Sequence, residues 1–234
     1  MAKHVRFITS SLSAILTETA MASRGIAQGI ESFAICDYVF QTMFLKMTGA
    51  LEQKMKCICW ELATDDFDFR HVYLFNLGKY GEMSTYESKN LVYENLVEII
   101  RKQDKTFDPK NSIDHVTALS ETKQSVLDAF RNNPISLWNQ RHYDMFVTLF
   151  DGIKEQQFAD KKLFDSVLQA LYENLYRHRN RCAHNAFSYQ QNLPTLRQLA
   201  DANYKYENYY FRFGLLLLID NVFIQLFNVY NKGC

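Results

Sequence analysis

One stretch near the carboxyl end gathers residue types that acid–base chemistry on a phosphate would use. Residues 175–185 read LYRHRNRCAHN, three arginines and two histidines within eleven residues of a chain whose formal charge is zero. A histidine with an ordinary pKa near 6.5 can take or give a proton at neutral pH. An arginine offers a planar fork that suits two-point contact with a phosphate. The combination Arg179, Asn180 and His184 therefore supplies a charge stabiliser, an amide to orient a partner, and a proton carrier. A plainer reading stands beside it. Cations near a helix C-terminus gain about 0.3–1 kcal/mol each from the helix dipole, and Asn180 or Asn185 could simply stop the helix.

Helical geometry makes the three arginines unequal. At 100° per residue, Phe164, Leu168, Leu171 and Leu175 form one stripe, and Arg179 is its next position. Arg177 and Arg181 fall on the opposite, solvated face, where Glu173 and Arg177 are spaced as a favourable four-apart pair. An arginine on the apolar side must meet an anion, because an unpaired buried charge is costly. Two acids of the chain offer themselves: Asp37, in the apolar gap between Phe33 and Phe40, and Asp220, inside LLLLIDNVF. A phosphate of a ligand is the other choice. His178 is expected to be a solvated surface histidine, and Trp60 and Trp138 core residues.

The elements that must position these groups follow from composition. Only 8 Gly and 3 Pro in 234 residues, with 47% hydrophobic and 22% charged residues, favour long helices in a globular chain. Helices are predicted over residues 7–23, 29–62 with a bend at Gly49, 84–102, 120–131, 134–150, 160–180 and 201–230. Ser84 with Glu87 resembles a capping box for the third of these. The run DDFDFRHVYLFNLGKYGEM reads as a less regular connector. The expectation is an all-α, single-domain bundle of six to eight helices spanning 1–234.

Composition also excludes. Twenty-six basic against twenty-six acidic residues leave no global field to attract a polyanion, so such binding must come from a local patch. The cysteines (36, 57, 59, 182 and 234) are odd in number and lack metal-site spacing. Reduced thiols in a cytoplasmic protein are expected, with Cys182 a small apolar filler. His4, His71, His115 and His142 are scattered without metal-site spacing. FGLLLLIDNVFIQLF is interrupted by Asp220, Asn221 and Gln225, and reads as a core helix rather than a membrane span. Tyr204, Tyr206, Tyr209 and Tyr210 either stack on bases or pack against neighbouring helices.

Chance sets the weight of the motif. With 11 Arg, 6 His and 16 Asn, composition alone yields an Arg–His pair at one chosen spacing roughly 0.3 times, and roughly 0.02 times once Asn must follow the Arg. In that tight form, Arg179-Asn180-Arg181-Cys182-Ala183-His184 resembles the motif of the HEPN superfamily: an arginine, a polar residue and, a few residues later, a histidine. In that family the motif ends a helix of an all-α bundle and is followed by a further core helix. Residues 171–175 leading in and LLLLIDNVF following agree. The stretch around 65–152 exceeds the minimal bundle and reads as helical inserts.

The resemblance implies metal-independent RNA cleavage, without a cofactor, at a composite site where two copies of the motif face each other in a homodimer. Arg179, Asn180 and His184 would be catalytic, Arg177 and Arg181 would hold the RNA, and Asp37 and Asp220 would support them. Such proteins include toxins and abortive-infection (phage-defence) effectors acting on tRNA or mRNA, some with an antitoxin or regulatory partner. A catalytically inactive HEPN-like scaffold or RNA- or nucleotide-binding module is the alternative, and an unrelated helical protein with a coincidental motif a third.

Overall fold

In a computed structural model, the structure describes residues 4–26, 29, 32–137, 139–159, 161–184 and 202–233. The described residues are mostly helical, with no strand and twelve α-helices. The all-α expectation holds, but the number of helices exceeds the predicted six to eight because several predicted helices are split and the supposed connector is helical.

The amino-terminal helix is two: α1 (Val5–Thr9) and α2 (Ser13–Ala22). The break between them has a use. Leu12 N–H donates to Asp220 Oδ2 (2.8 Å), and the Ser10 carbonyl accepts from Lys54 Nζ. The long α3 (Phe33–Asp65) runs unbroken through Gly49. Its buried side, Phe40, Phe44, Met47, Leu51, Met55, Ile58 and Leu62, steps by three and four, as an amphipathic helix requires. Trp60 lies off that stripe and is 58% exposed, contrary to the core assignment. Trp138 lies outside the described residues.

The run after α3 is not irregular. It forms α4 (Phe67–Phe75), opened by an Asp66 side chain that accepts from Phe69 N–H, and α5 (Leu77–Gly81). The next helix, α6 (Tyr86–Gln103), starts one residue later than a Ser84 cap would require. Thr85 is its N-cap and accepts from Ser88 N–H (3.2 Å), while Ser84 Oγ donates to Glu82 (2.7 Å). Then follow α7 (Pro109–Ser112), α8 (His115–Phe130), α9 (Pro134–Leu137) and α10 (Gln140–Phe150). Pro109 and Pro134 open their helices, where a missing N–H costs nothing; Pro194 lies outside the described residues. The last two are α11 (Ser166–His184) and α12 (Tyr209–Gly233).

Helix α12 is the hub of the core and contacts α1, α3, α6, α8 and α10. Sixteen of its residues are buried, from Tyr210 to Tyr230. By length and composition it could cross a membrane, but 72% of its apolar window is covered by the other helices. Gly214 permits part of that covering. A Cβ there would stand 2.8 Å from the Phe150 ring, so glycine lets α10 close on α12. Phe40, Phe130, Tyr210 and Phe213 complete an aromatic cluster between α3, α8 and α12.

Candidate active site

Helix α11 carries the motif and packs on α3 and α6. Phe164 and Leu168, Tyr172 and Leu175 are buried, and the apolar stripe continues into Arg179 as the spacing predicted. The helix does not stop at Asn180; it runs to His184, so the whole motif is helical. Asn185 lies outside the described residues.

Arg179 is half-buried and meets a carboxylate, but neither of the two expected. Its Nη2 donates to Glu52 Oε1 (3.1 Å), with the two side chains 24% and 18% exposed, and its Nη1 donates to Asn180 Oδ1 (3.1 Å). Asp37 instead accepts from Gln41 Nε2 (2.7 Å), and burial raises its carboxyl pKa. Asp220 is wholly buried and takes Lys54 (2.6 Å) and the Leu12 amide. The supporting roles given to Asp37 and Asp220 are therefore corrected: Glu52, on α3, is the acid that orients Arg179. Its signal in the sequence was faint, since it neighbours Leu51 at the edge of the α3 stripe rather than lying on it.

His184 is exposed at the last position of α11, five residues after Arg179. Among the described residues no hydrogen bond or ion pair joins the two. At 100° per residue they lie about 140° apart around the helix, so one copy of the chain does not converge both on a single point. Arg177 is exposed as expected, although Glu173 accepts from Gln169 (2.8 Å) and no ion pair joins it to Arg177 among the described residues. Arg181 is half-buried rather than solvated. It shares Glu207 (3.7 Å) with the buried Arg212.

His178 is the larger correction. It is packed between Phe44 and Tyr209, with Nε2 3.0 Å from the Tyr209 hydroxyl and 3.4 Å from Cys182 Sγ. Burial, aided by the Arg212 and Arg181 charges, pushes its pKa down to about 2, which favours the neutral ring. The periodicity held the signal: 178 is one heptad after Leu171, on the stripe 171, 175, 178, 182. Tyr209 and Tyr210 pack in the interior, and Tyr206 packs on Phe211. Cys182 is half-buried, and its thiol is raised, first by burial.

Beneath Arg179 lies a second group that sequence reasoning passed over. Lys89 is 2% exposed; its Nζ donates to the Met83 (2.6 Å) and Ser84 (3.1 Å) carbonyls and lies over the Tyr172 ring (5.0 Å). Tyr172 donates to the Ser84 carbonyl (2.7 Å), and Tyr176 to Glu82 (3.0 Å). Hydrogen bonds from Ser84 and Tyr176, with the Arg179 charge behind them, hold the Glu82 carboxyl below its ordinary value. These contacts fasten the turn before α6 to the buried side of α11 and hold the motif helix in place.

Burial pushes the Lys89 amine from 10.5 down to about 7, against the pull of Glu52 and with a small push from Arg179. The unfolded chain keeps this proton to high pH and the folded chain releases it near neutrality. Lys89 therefore costs stability at neutral pH, and the cost shrinks as pH rises. Between about pH 7 and about pH 9, the unfolding free energy of the wild type should gain about 2 kcal/mol relative to Lys89→Met, read from paired urea titrations. A gap that stays constant with pH would mean that the amine is not depressed.

No group of three or more metal-ligating side chains occurs among the described residues. No family model matches the chain, and no curated protein or solved structure is similar to it.

Proposed function

We propose that this chain is a metal-independent endoribonuclease of HEPN type, acting as a homodimer in which two copies of the motif meet. The observation that carries the reading is the contrast within α11. The helix is anchored in the core through Leu168, Tyr172 and Leu175, with His178 packed on Phe44 and Tyr209, yet presents His184 at its exposed end and an Arg179 guanidinium already oriented by Glu52. Such rigidity is what a positioned acid–base group needs.

In the reaction, one histidine takes the 2′-hydroxyl proton as the O2′–P bond forms. A second proton, from the histidine of the other copy, reaches the 5′ oxygen as the P–O5′ bond breaks. The products are a 2′,3′-cyclic phosphate and a 5′-hydroxyl. Arg179 offsets the charge gathering on the phosphoryl oxygens. Because Arg179 and His184 diverge around one helix, pairing with a second motif would bring the groups to one phosphate. Arg177, exposed on the same helix, extends the cationic surface.

One observation favours a second reading, a HEPN-like scaffold without catalysis: Glu52 already neutralises Arg179. Incubation of total RNA with the protein in EDTA separates the two. The nuclease yields discrete fragments ending in cyclic phosphate; intact RNA alongside a folded dimer supports the scaffold.

A further inference from the structure

We propose that the outer face of α4 is a self-association surface that takes a second copy of this chain, through an interface distinct from the motif helix and independent of the nuclease reading. Phe67, His71, Leu74 and Phe75 are spaced i, i+4, i+7 and i+8, which places them on one side of α4. Phe67, Leu74 and Phe75 are 75%, 58% and 85% exposed. The opposite side of the helix is the one the fold uses: Phe69 is buried against Tyr73 and Tyr80. Arg70 fastens α4 to the end of α3 through the Ala63 (2.6 Å) and Thr64 (2.7 Å) carbonyls, next to the exposed Trp60.

Phe67, Leu74 and Phe75 together present about 400 Å² of contiguously spaced apolar surface, with the His71 ring between them, and a patch of that size on a monomer is often functional. With its polar rim, that approaches the ~800 Å² per partner of a standard interface. The rim selects the occupant. Asp66 and Asp68 open α4, and Arg70 and Lys79 follow, so both signs are present and neither dominates. A membrane-surface helix would carry a basic rim, and a strongly charged partner would call for one sign. A balanced face suits its own copy, and the chain's zero formal charge sets no barrier to that. A two-fold axis through His71 sets Phe67 of one copy against Phe75 of the other, four residues either side of the centre. The face is remote from the motif: His178 packs on Phe44, and Trp60 is sixteen residues, or about 24 Å, further along α3. Pairing here leaves His184 outward.

Sedimentation equilibrium across about 1–100 µM tests this, with full-length wild type, Phe75→Glu and Phe67→Glu. As a control, Val116→Glu alters another exposed apolar residue, on α8 (57% exposed). The expected result is that both phenylalanine variants, folded by circular dichroism, lose one step of association, the mass halving or the dissociation constant rising at least tenfold. Val116→Glu should match wild type. Equal masses for wild type and both phenylalanine variants at every concentration would overturn the proposal. So would binding to phosphatidylcholine vesicles that Phe75→Glu abolishes while the mass in solution stays unchanged.

Discussion

His184→Ala should lower RNA cleavage in EDTA by about 10²–10⁴-fold, the range that a positioned acid–base group contributes. Its urea midpoint should stay at the wild-type value, since the residue stands exposed at the end of α11 and substitutions at such sites change stability by about 0.5 kcal/mol or less. Affinity for an uncleavable 2′-deoxy substrate should also be kept, because the imidazole works on protons and Arg177 and Arg179 supply the charge. His178→Ala makes the informative partner. That ring is half-buried against Phe44 and Tyr209, and its surroundings favour the neutral form, so its loss should reduce stability, with activity falling only as the fold is lost. A variant at 184 that cuts RNA as fast as wild type would remove the histidine from the chemistry. Cleavage lost together with RNA affinity would instead assign it to binding.

The two histidines show how far periodicity reaches. The stripe through Leu168 and Leu175 led correctly to Arg179 and to the need for an anion there, because one amphipathic helix fixes which of its own residues face inward. It could not say which acid comes to meet the arginine. That depends on how α3 and α11 cross, a property of two helices together, and Glu52 won over Asp37 and Asp220 through that crossing. His178 was misjudged for another reason. It lies one residue from Arg179 and so points away from that stripe, but a heptad step from Leu171 sets it on the adjoining packed face, against Phe44 and Tyr209.

Position also outweighs residue type at Lys54 and Lys89. Both occupy apolar stripes, Lys54 among Leu51, Met55 and Ile58, and Lys89 between Tyr86 and Val92. A lysine on such a stripe is a sequence-level sign of a buried amine that needs acceptors. The helix class was legible from the scarcity of glycine and proline. The breaks were not, because the interruption at Ser10–Leu12 exists to direct one carbonyl and one N–H into the core. The α4 segment, with aromatic residues on both its sides, gave no clean amphipathic period and so read as a connector.

Asp220→Ala should be the most destabilising of single substitutions away from the motif, by about 3–5 kcal/mol, measured by urea unfolding. The Asp220 and Lys54 side chains are 1% and 2% exposed and meet at 2.6 Å. Each has a further partner at the α1–α2 break: the Leu12 amide for Asp220 and the Ser10 carbonyl for Lys54. Removing the carboxylate strands a cation in the core and an N–H beside it, and both carry the full desolvation penalty. The double variant Lys54→Met with Asp220→Leu separates two explanations. It removes both charges and keeps apolar volume, so if the pair mattered only as a pair, stability would return to near wild type. The orphaned Leu12 N–H and Ser10 carbonyl argue for incomplete recovery, with about 1–3 kcal/mol still missing. Full recovery would mean that the break between α1 and α2 holds its shape without the charges that now fasten it to α3 and α12.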